Sequence, residues 1–213
     1  MRHIIARHKA VWPQTGFTYS AFLSLFFLIA SLGFNYFAGQ YADLSASNSV
    51  TDIILDHIPV FNVDFLFIYG FGIFLVFVLF LIIIEPKRLP FVFKSLALLI
   101  AIRSFFVVLT HIAPLSSIPS ADMGAIVRRL TFSADLFFSA HTGIPFLFAL
   151  IFWKHQILRL VFLGFSVFFG VIVLLGHLHY SIDVFAAYFI TFTIYSIAKK
   201  IFPSDEKHFN EVG

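Results

Sequence analysis

Six apolar windows separated by short polar stretches dominate the pattern of this chain. Phe17 to Ala42 and Phe65 to Ile84 contain no ionised residue, and Leu89 to Ala121 is broken only by Lys94 and Arg103. Leu136 to Trp153, Leu160 to Ile182 and Val184 to Ala198 complete the set. The last is short and takes Tyr180 to Asp183 as its first turn. A helix crossing about 30 Å of hydrocarbon takes about 20 residues, so each window, with its flanks, predicts a spanning helix. The expected architecture is therefore all-α, a polytopic membrane protein built as a six-transmembrane-helix bundle. Its membrane domain covers residues 18–201, with a cytoplasmic N-terminal segment over 1–17 and a cytoplasmic tail over 202–213 that reads as a short polar end.

Composition agrees with this pattern. Of 213 residues, 60% are hydrophobic, 12% are charged and 32 are Phe. A soluble domain of this size has no interior large enough for so much apolar surface. The Phe-rich stripes read as lipid-facing bulk. Cysteine is absent, which excludes disulfides, thiolate metal sites and cysteine nucleophiles. The first window follows Arg2, Arg7 and Lys9 as a signal peptide would. Its apolar run far exceeds a signal core of roughly 7–15 residues, so a retained anchor is expected.

Charge then sets a topology. One side collects Arg2, Arg7, Lys9, Lys87, Arg88, Lys94, Lys154, Arg159, Lys199, Lys200 and Lys207, 11 of the 14 basic residues. By the positive-inside rule that side is cytoplasmic and holds both termini. Asp43, Asp52, Asp56, Asp64, Asp122, Asp135 and Asp183 collect on the opposite side, with Arg103, Arg128 and Arg129. The net charge of +3 is thus spread by side, and no basic stripe outside membrane-flanking positions suits a nucleic acid.

Candidate chemistry lies at the acidic side. Of nine histidines, His111, His141, His177 and His179 fall at the outer ends of windows. Ionisable groups at membrane depth are costly and usually face a cavity or a partner. His179 and Asp183 are four residues apart, so a helical first turn would put both on one face. The carboxylate would then hold one imidazole nitrogen as N–H and leave the other free to attack. His141 starts the fourth window's helix beside Ser139. Two histidines suffice for phosphoryl transfer, one bonding to phosphorus and the other protonating the departing oxygen. Helix N-termini, the Ser139 hydroxyl and the Arg103 guanidinium all suit a phosphate. Each residue also has an ordinary reading: interfacial histidines, Arg103 snorkelling to the interface, Ser139 as a helix cap. Asp52 and Asp56 read as solvated residues of a short helix starting at Thr51, and Arg128-Arg129 as lipid-headgroup contacts.

Together the residues resemble a known pattern. Phe132-Ser133-Ala134-Asp135-Leu136-Phe137-Phe138-Ser139-Ala140-His141-Thr142 resembles the C-G-D-x-x-x-S-G-H-T motif of the sphingomyelin synthase family. His177-Leu178-His179-Tyr180-Ser181-Ile182-Asp183-Val184 resembles that family's H-x-H-Y-T-x-D-V motif. The family is the ceramide-acting branch of the type-2 phosphatidic acid phosphatase superfamily. Looser similarity covers Thr51 to Pro59, then Arg103, Thr110 and Pro114, and Arg128-Arg129. Ser133, Ala134, Ala140, Thr51 and Ser181 stand where the family has Cys, Gly, Gly, Pro and Thr, and none of these changes removes a group that does chemistry.

The resemblance implies His179 as nucleophile, Asp183 as its orienting partner and His141 as general acid. Ser139, Arg103, Asp135, His177 and Tyr180 are the expected substrate contacts. It implies no cofactor and no metal. The expected donor is a membrane phospholipid carrying phosphocholine or phosphoethanolamine, and the acceptor a lipid alcohol, ceramide or diacylglycerol. Hydrolysis, with water as acceptor, shares the same intermediate. The superfamily's phosphatases typically carry K-x₆-R-P, which does not occur here, and position 173 is Val rather than Arg. A haem-binding or transport bundle with facing histidines is the non-enzymatic alternative, and leaves Ser139, Asp183 and Arg103 unexplained.

Overall fold

The computed structural model describes residues 2–115 and 136–211. All regular structure among them is helical. In chain order the helices are α1 (Arg2–Val11), α2 (Thr15–Ser45), α3 (Phe71–Ile84), α4 (Leu89–Val107), α5 (Ala140–Ile151), α6 (Gln156–Leu175), α7 (Ser181–Ile201) and α8 (Pro203–Asn210). A π-helical turn, Leu66–Gly70, runs into α3, and a 3-10 turn, Leu55–His57, sits in the loop before it. Among the described residues, five helical stretches have the length and apolarity to cross a bilayer: Thr15–Ser45, Leu66–Ile84, Pro86–Val107, Gln156–Leu175 and Ser181–Ile201.

The apolar windows exceed the helices in three places. The third runs to Ala121, yet α4 stops at Val107, where the chain turns at Val108. The fourth yields only 12 helical residues in α5, about 18 Å of rise. The fifth runs to Ile182, but α6 ends at Leu175, and His177 then adopts φ 50, a left-handed conformation that no helix continues through. The tail read as a polar end is helical over Pro203–Asn210, because its Asp205 and Phe209 are buried against the bundle.

α4 is the central helix. Buried Phe91, Val92, Lys94, Ser95, Ala97, Leu99, Ile100, Arg103, Ser104 and Val107 alternate around it. It packs against α2 through a stripe of small residues on the latter, Ala21, Ser24, Ser31 and Ala38, which allows close backbone approach without a hydrophobic driving force. α5, α6 and α7 form the other half, around an aromatic core. The Phe74 ring meets Phe148 at 5.8 Å, Phe162 at 6.0 Å and Phe165 at 5.4 Å, in edge-to-face contacts. Not all the Phe is lipid-facing bulk, then: Phe74, Phe91, Phe138, Phe148, Phe152, Phe162 and Phe169 fill the interior.

The bundle has two polar ends. At the basic end Arg7 pairs with Glu85 at 3.1 Å, and Lys94 pairs with Asp205 at 2.6 Å. The other end, where the loops over 46–65, 108–115, 136–139 and 176–180 meet, holds His57, His111, His141, His177 and His179.

Candidate active site

Helix α7 begins at Ser181, with Tyr180 as its N-cap in extended conformation (φ −66, ψ 155). His179 therefore precedes the helix, and the shared helical face expected for His179 and Asp183 is not what joins them. Asp183 is the third helical residue and its side chain turns back along the chain. Its Oδ2 accepts the Tyr180 backbone N–H at 3.2 Å and faces His179 Nδ1 at 3.3 Å. An acidic residue at this position satisfies a helix-start N–H that has no intrahelical partner. A carboxylate only accepts, so Nδ1 carries the proton and Nε2 keeps its lone pair. Both side chains are buried.

The second histidine is brought in by the backbone. Ser139 caps α5, its hydroxyl accepting the Thr142 N–H at 3.4 Å. Its own N–H donates to the Asp183 carbonyl at 3.0 Å, which fixes the start of α5 against the start of α7. His141, one residue into α5, stacks on Phe67 at 4.0 Å with rings 27° apart, and meets Phe71 at 4.3 Å. Those two rings, from the π-helical turn and the start of α3, set the plane of the imidazole. Pro145 lies inside α5 and has no N–H, so the His141 carbonyl loses its helical donor.

Arg103 does not snorkel outward. Its side chain is buried, and Nε donates to the Phe138 carbonyl at 2.9 Å, just before the Ser139 cap. That contact places the guanidinium beside the start of α5, in which His141 is the second residue. His177 is buried in its left-handed conformation, and among the described residues its Nε2 has no hydrogen-bond partner. A strained backbone together with an orphaned polar atom marks a constrained position. Tyr180 is 2% exposed, and its hydroxyl is engaged, donating to the Ala113 carbonyl at 3.0 Å and accepting the Val50 N–H at 3.2 Å. His111 stands apart at the surface, its Nε2 3.2 Å from the Tyr41 hydroxyl. Asp135, with Arg128 and Arg129, lies outside the described residues.

Two further parts of the site are not placed there by the sequence reading. Phe67 and Phe71 belong to an apolar window with nothing to separate them from lipid-facing neighbours. Asp52, read as solvated in a helix starting at Thr51, is 7% exposed. Its Oδ2 accepts the Ser181 N–H at 2.7 Å, and its Oδ1 accepts the N–H groups of Ile54 and Leu55. Burial alone would raise its pKa, but these N–H donors hold it below the ordinary carboxylate value.

Two cavities border α7, one at the site and one farther along the helix. One of about 220 Å³ is lined by Thr51, Asp52, Tyr180, Ser181 and Asp183. The other, about 610 Å³, is an apolar groove between α4 and α7, lined by residues that include Phe105, Phe106, Phe189, Ile190 and Ile194.

Residues 133–200 match the family described as PAP2 superfamily C-terminal. The match supports the type-2 phosphatidic acid phosphatase superfamily. It spans Ser139, His141, His177, His179 and Asp183, and leaves Asp52 and Arg103 outside. No curated protein and no solved structure matches the chain. The match and the long apolar helices support a membrane protein of the lipid phosphatase and phosphotransferase kind.

Proposed function

We propose that this protein is a lipid phosphotransferase of the sphingomyelin synthase type, working through a phosphohistidine on His179. The observation that carries the reading is the His179–Asp183 contact at 3.3 Å, with His141 held alongside by the Ser139–Asp183 backbone bond at 3.0 Å. In the first step His179 Nε2 attacks phosphorus of a glycerophospholipid. An N–P bond forms, the P–O bond to diacylglycerol breaks, and His141 protonates the departing oxygen. The phosphorylated imidazole keeps its Nδ1–H on Asp183, whose charge balances the cation. In the second step a lipid alcohol such as ceramide gives its hydroxyl proton to His141, its oxygen bonds to phosphorus, and the N–P bond breaks.

Arg103, Ser139 and His177, with Asp135, are the proposed headgroup contacts, and Tyr180 acts by holding the loop. The apolar groove between α4 and α7 supports a lipidic substrate. Its α7 stripe, Ile194 and Ile190, continues at helical spacing to Asp183. The topology proposed from charge puts both termini in the cytoplasm and this site on the opposite face.

The test is incubation of purified protein with headgroup-labelled phosphatidylcholine or phosphatidylethanolamine, with and without ceramide. Labelled phosphosphingolipid is the expected product. Release of labelled headgroup alone, whether or not ceramide is present, would make the enzyme a hydrolase, and no turnover at all would refute the reading.

A further inference from the structure

We propose that Asp52 is a positioning residue of this site, its carboxylate fixing the first turn of α7 so that His179 and Asp183 hold their reactive geometry. The inference rests on the phosphotransfer reading above.

Asp52 and Ser181 are 129 residues apart in sequence, yet Oδ2 and the Ser181 nitrogen are 2.7 Å apart. Ser181 is the first residue of α7, and its N–H is one of those a helix cannot satisfy internally. It lies between His179 and Asp183, so a contact there constrains both flanking side chains through the backbone. A carboxylate is the acceptor this place favours, because it meets the positive end of the helix dipole.

The rest of the loop is built to hold Asp52 still. Its Oδ1 accepts from Ile54 N–H at 2.9 Å and Leu55 N–H at 3.1 Å, and Asp56 Oδ2 accepts the Asp52 N–H at 3.2 Å. Leu55, buried with Tyr180 and Leu136, anchors the loop on the other side. The Val50 N–H bond to the Tyr180 hydroxyl adds a second strand of attachment beside the first. Both Asp52 oxygens are occupied by backbone N–H groups, so the carboxylate is not a base in the reaction. Its role is exerted through Ser181.

Two substitutions separate this role from general support of the loop. Asp52→Ala removes every acceptor and leaves the Ser181 N–H orphaned. Adding Ser181→Pro removes that orphan: proline suits the first helical position, and Tyr180 already has the extended backbone that a following proline requires. The side chain lost from position 52 leaves room for the ring.

Misplacement of reacting groups by about 1 Å costs on the order of 100-fold in rate. For Asp52→Ala we expect kcat on labelled phospholipid to fall by roughly 10- to 100-fold while KM changes by less than about twofold. Hydrogen exchange at the Ser181 amide speeds up in the same protein. The double variant Asp52→Ala/Ser181→Pro recovers part of the lost kcat. Should the alanine variant fail to accumulate, Asp52→Asn carries the same expectation, since its amide presents N–H to one of the backbone donors. Three results would each overturn the role: a folded Asp52→Ala or Asp52→Asn protein with unchanged kcat, a lowered kcat with unaltered Ser181 exchange, or a double variant no faster than Asp52→Ala. A wild-type protein that turns over no phospholipid would instead sink the functional reading, and this role with it, whatever the Ser181 amide shows.

Discussion

Both ends of the bundle bury ionic groups, and they do so in opposite ways. At the basic end Lys94 Nζ donates to Asp205 Oδ2 at 2.6 Å and to Ser20 Oγ at 2.7 Å, while Ser20 donates to Asp205 Oδ1 at 2.6 Å. Arg88 lies over the Phe152 ring at 5.0 Å and the Phe209 ring at 5.8 Å. The Lys94 group is closed on itself: each charge is matched by a fixed partner. It clamps α8 and α2 onto α4. At the histidine end, Asp183 orients one nitrogen of His179 and leaves the other available, and the His177 Nε2 is unpartnered among the described residues. The Lys94 group does structural work, whereas the histidine end holds an imidazole nitrogen left free beside a carboxylate that orients the ring, which suits a ligand.

The contrast is broken most sharply by variants that separate activity from stability. His179→Ala and His141→Ala should each lower turnover by at least about 100- to 10,000-fold, the range for losing a positioned acid–base or nucleophilic group. Thermal unfolding of either variant in detergent should stay close to wild type. A variant with full activity would refute the assigned roles. Asp183→Asn should also lower kcat severely, by about 100-fold or more, because the amide no longer fixes the Nδ1–H tautomer. Its KM should move little, and an unchanged kcat would detach Asp183 from the nucleophile.

The closed cluster should respond the other way. Lys94→Met leaves the Asp205 carboxylate buried without its cation, and removing one partner of a buried pair costs about 3–5 kcal/mol. The unfolding midpoint should drop markedly, and Lys94→Met/Asp205→Leu should regain much of the loss. Whatever protein remains folded should keep its kcat. A normal midpoint for the single variant would mean the pair is not the clamp described.

A smaller effect tests the pH behaviour of the loop brace. The folded-state pKa of Asp52 lies below its unfolded value, so its contribution to stability is present above the unfolded pKa and is lost as pH falls through the folded one. Acid unfolding of Asp52→Asn should therefore be less steep below about pH 4 than that of the wild type, since the substituted side chain binds no proton. Identical acid limbs would remove the linkage.

Much of the fold was legible because lipid imposes a simple rule: long stretches without ionised residues become helices. That rule locates α2, α3, α6 and α7, but not where they stop. The apolar loops after Val107 and Leu175 look like helix in the sequence, and only the second carries a visible break, the left-handed His177. The His179–Asp183 spacing pointed to a contact that exists, though a helix-start carboxylate folding back produces it rather than a shared face. Lys94 and Asp205 stand 111 residues apart, and Asp52 and Ser181 stand 129 apart. Neither pairing has a local signature, because each is made by chain segments that only packing brings together. Phe67 and Phe71 were hidden for another reason: a ring facing an imidazole and a ring facing lipid are the same residue in the sequence.

The central claim is that phosphorus is bonded to His179 during turnover. Purified protein mixed with headgroup-labelled donor lipid in the absence of acceptor, quenched rapidly and digested, tests it by mass spectrometry of the labelled peptide. The phosphoryl headgroup should be found on His179, be absent from His179→Ala, and disappear when ceramide is added before quenching. Steady turnover with unlabelled protein, or label on His141 instead, would contradict it.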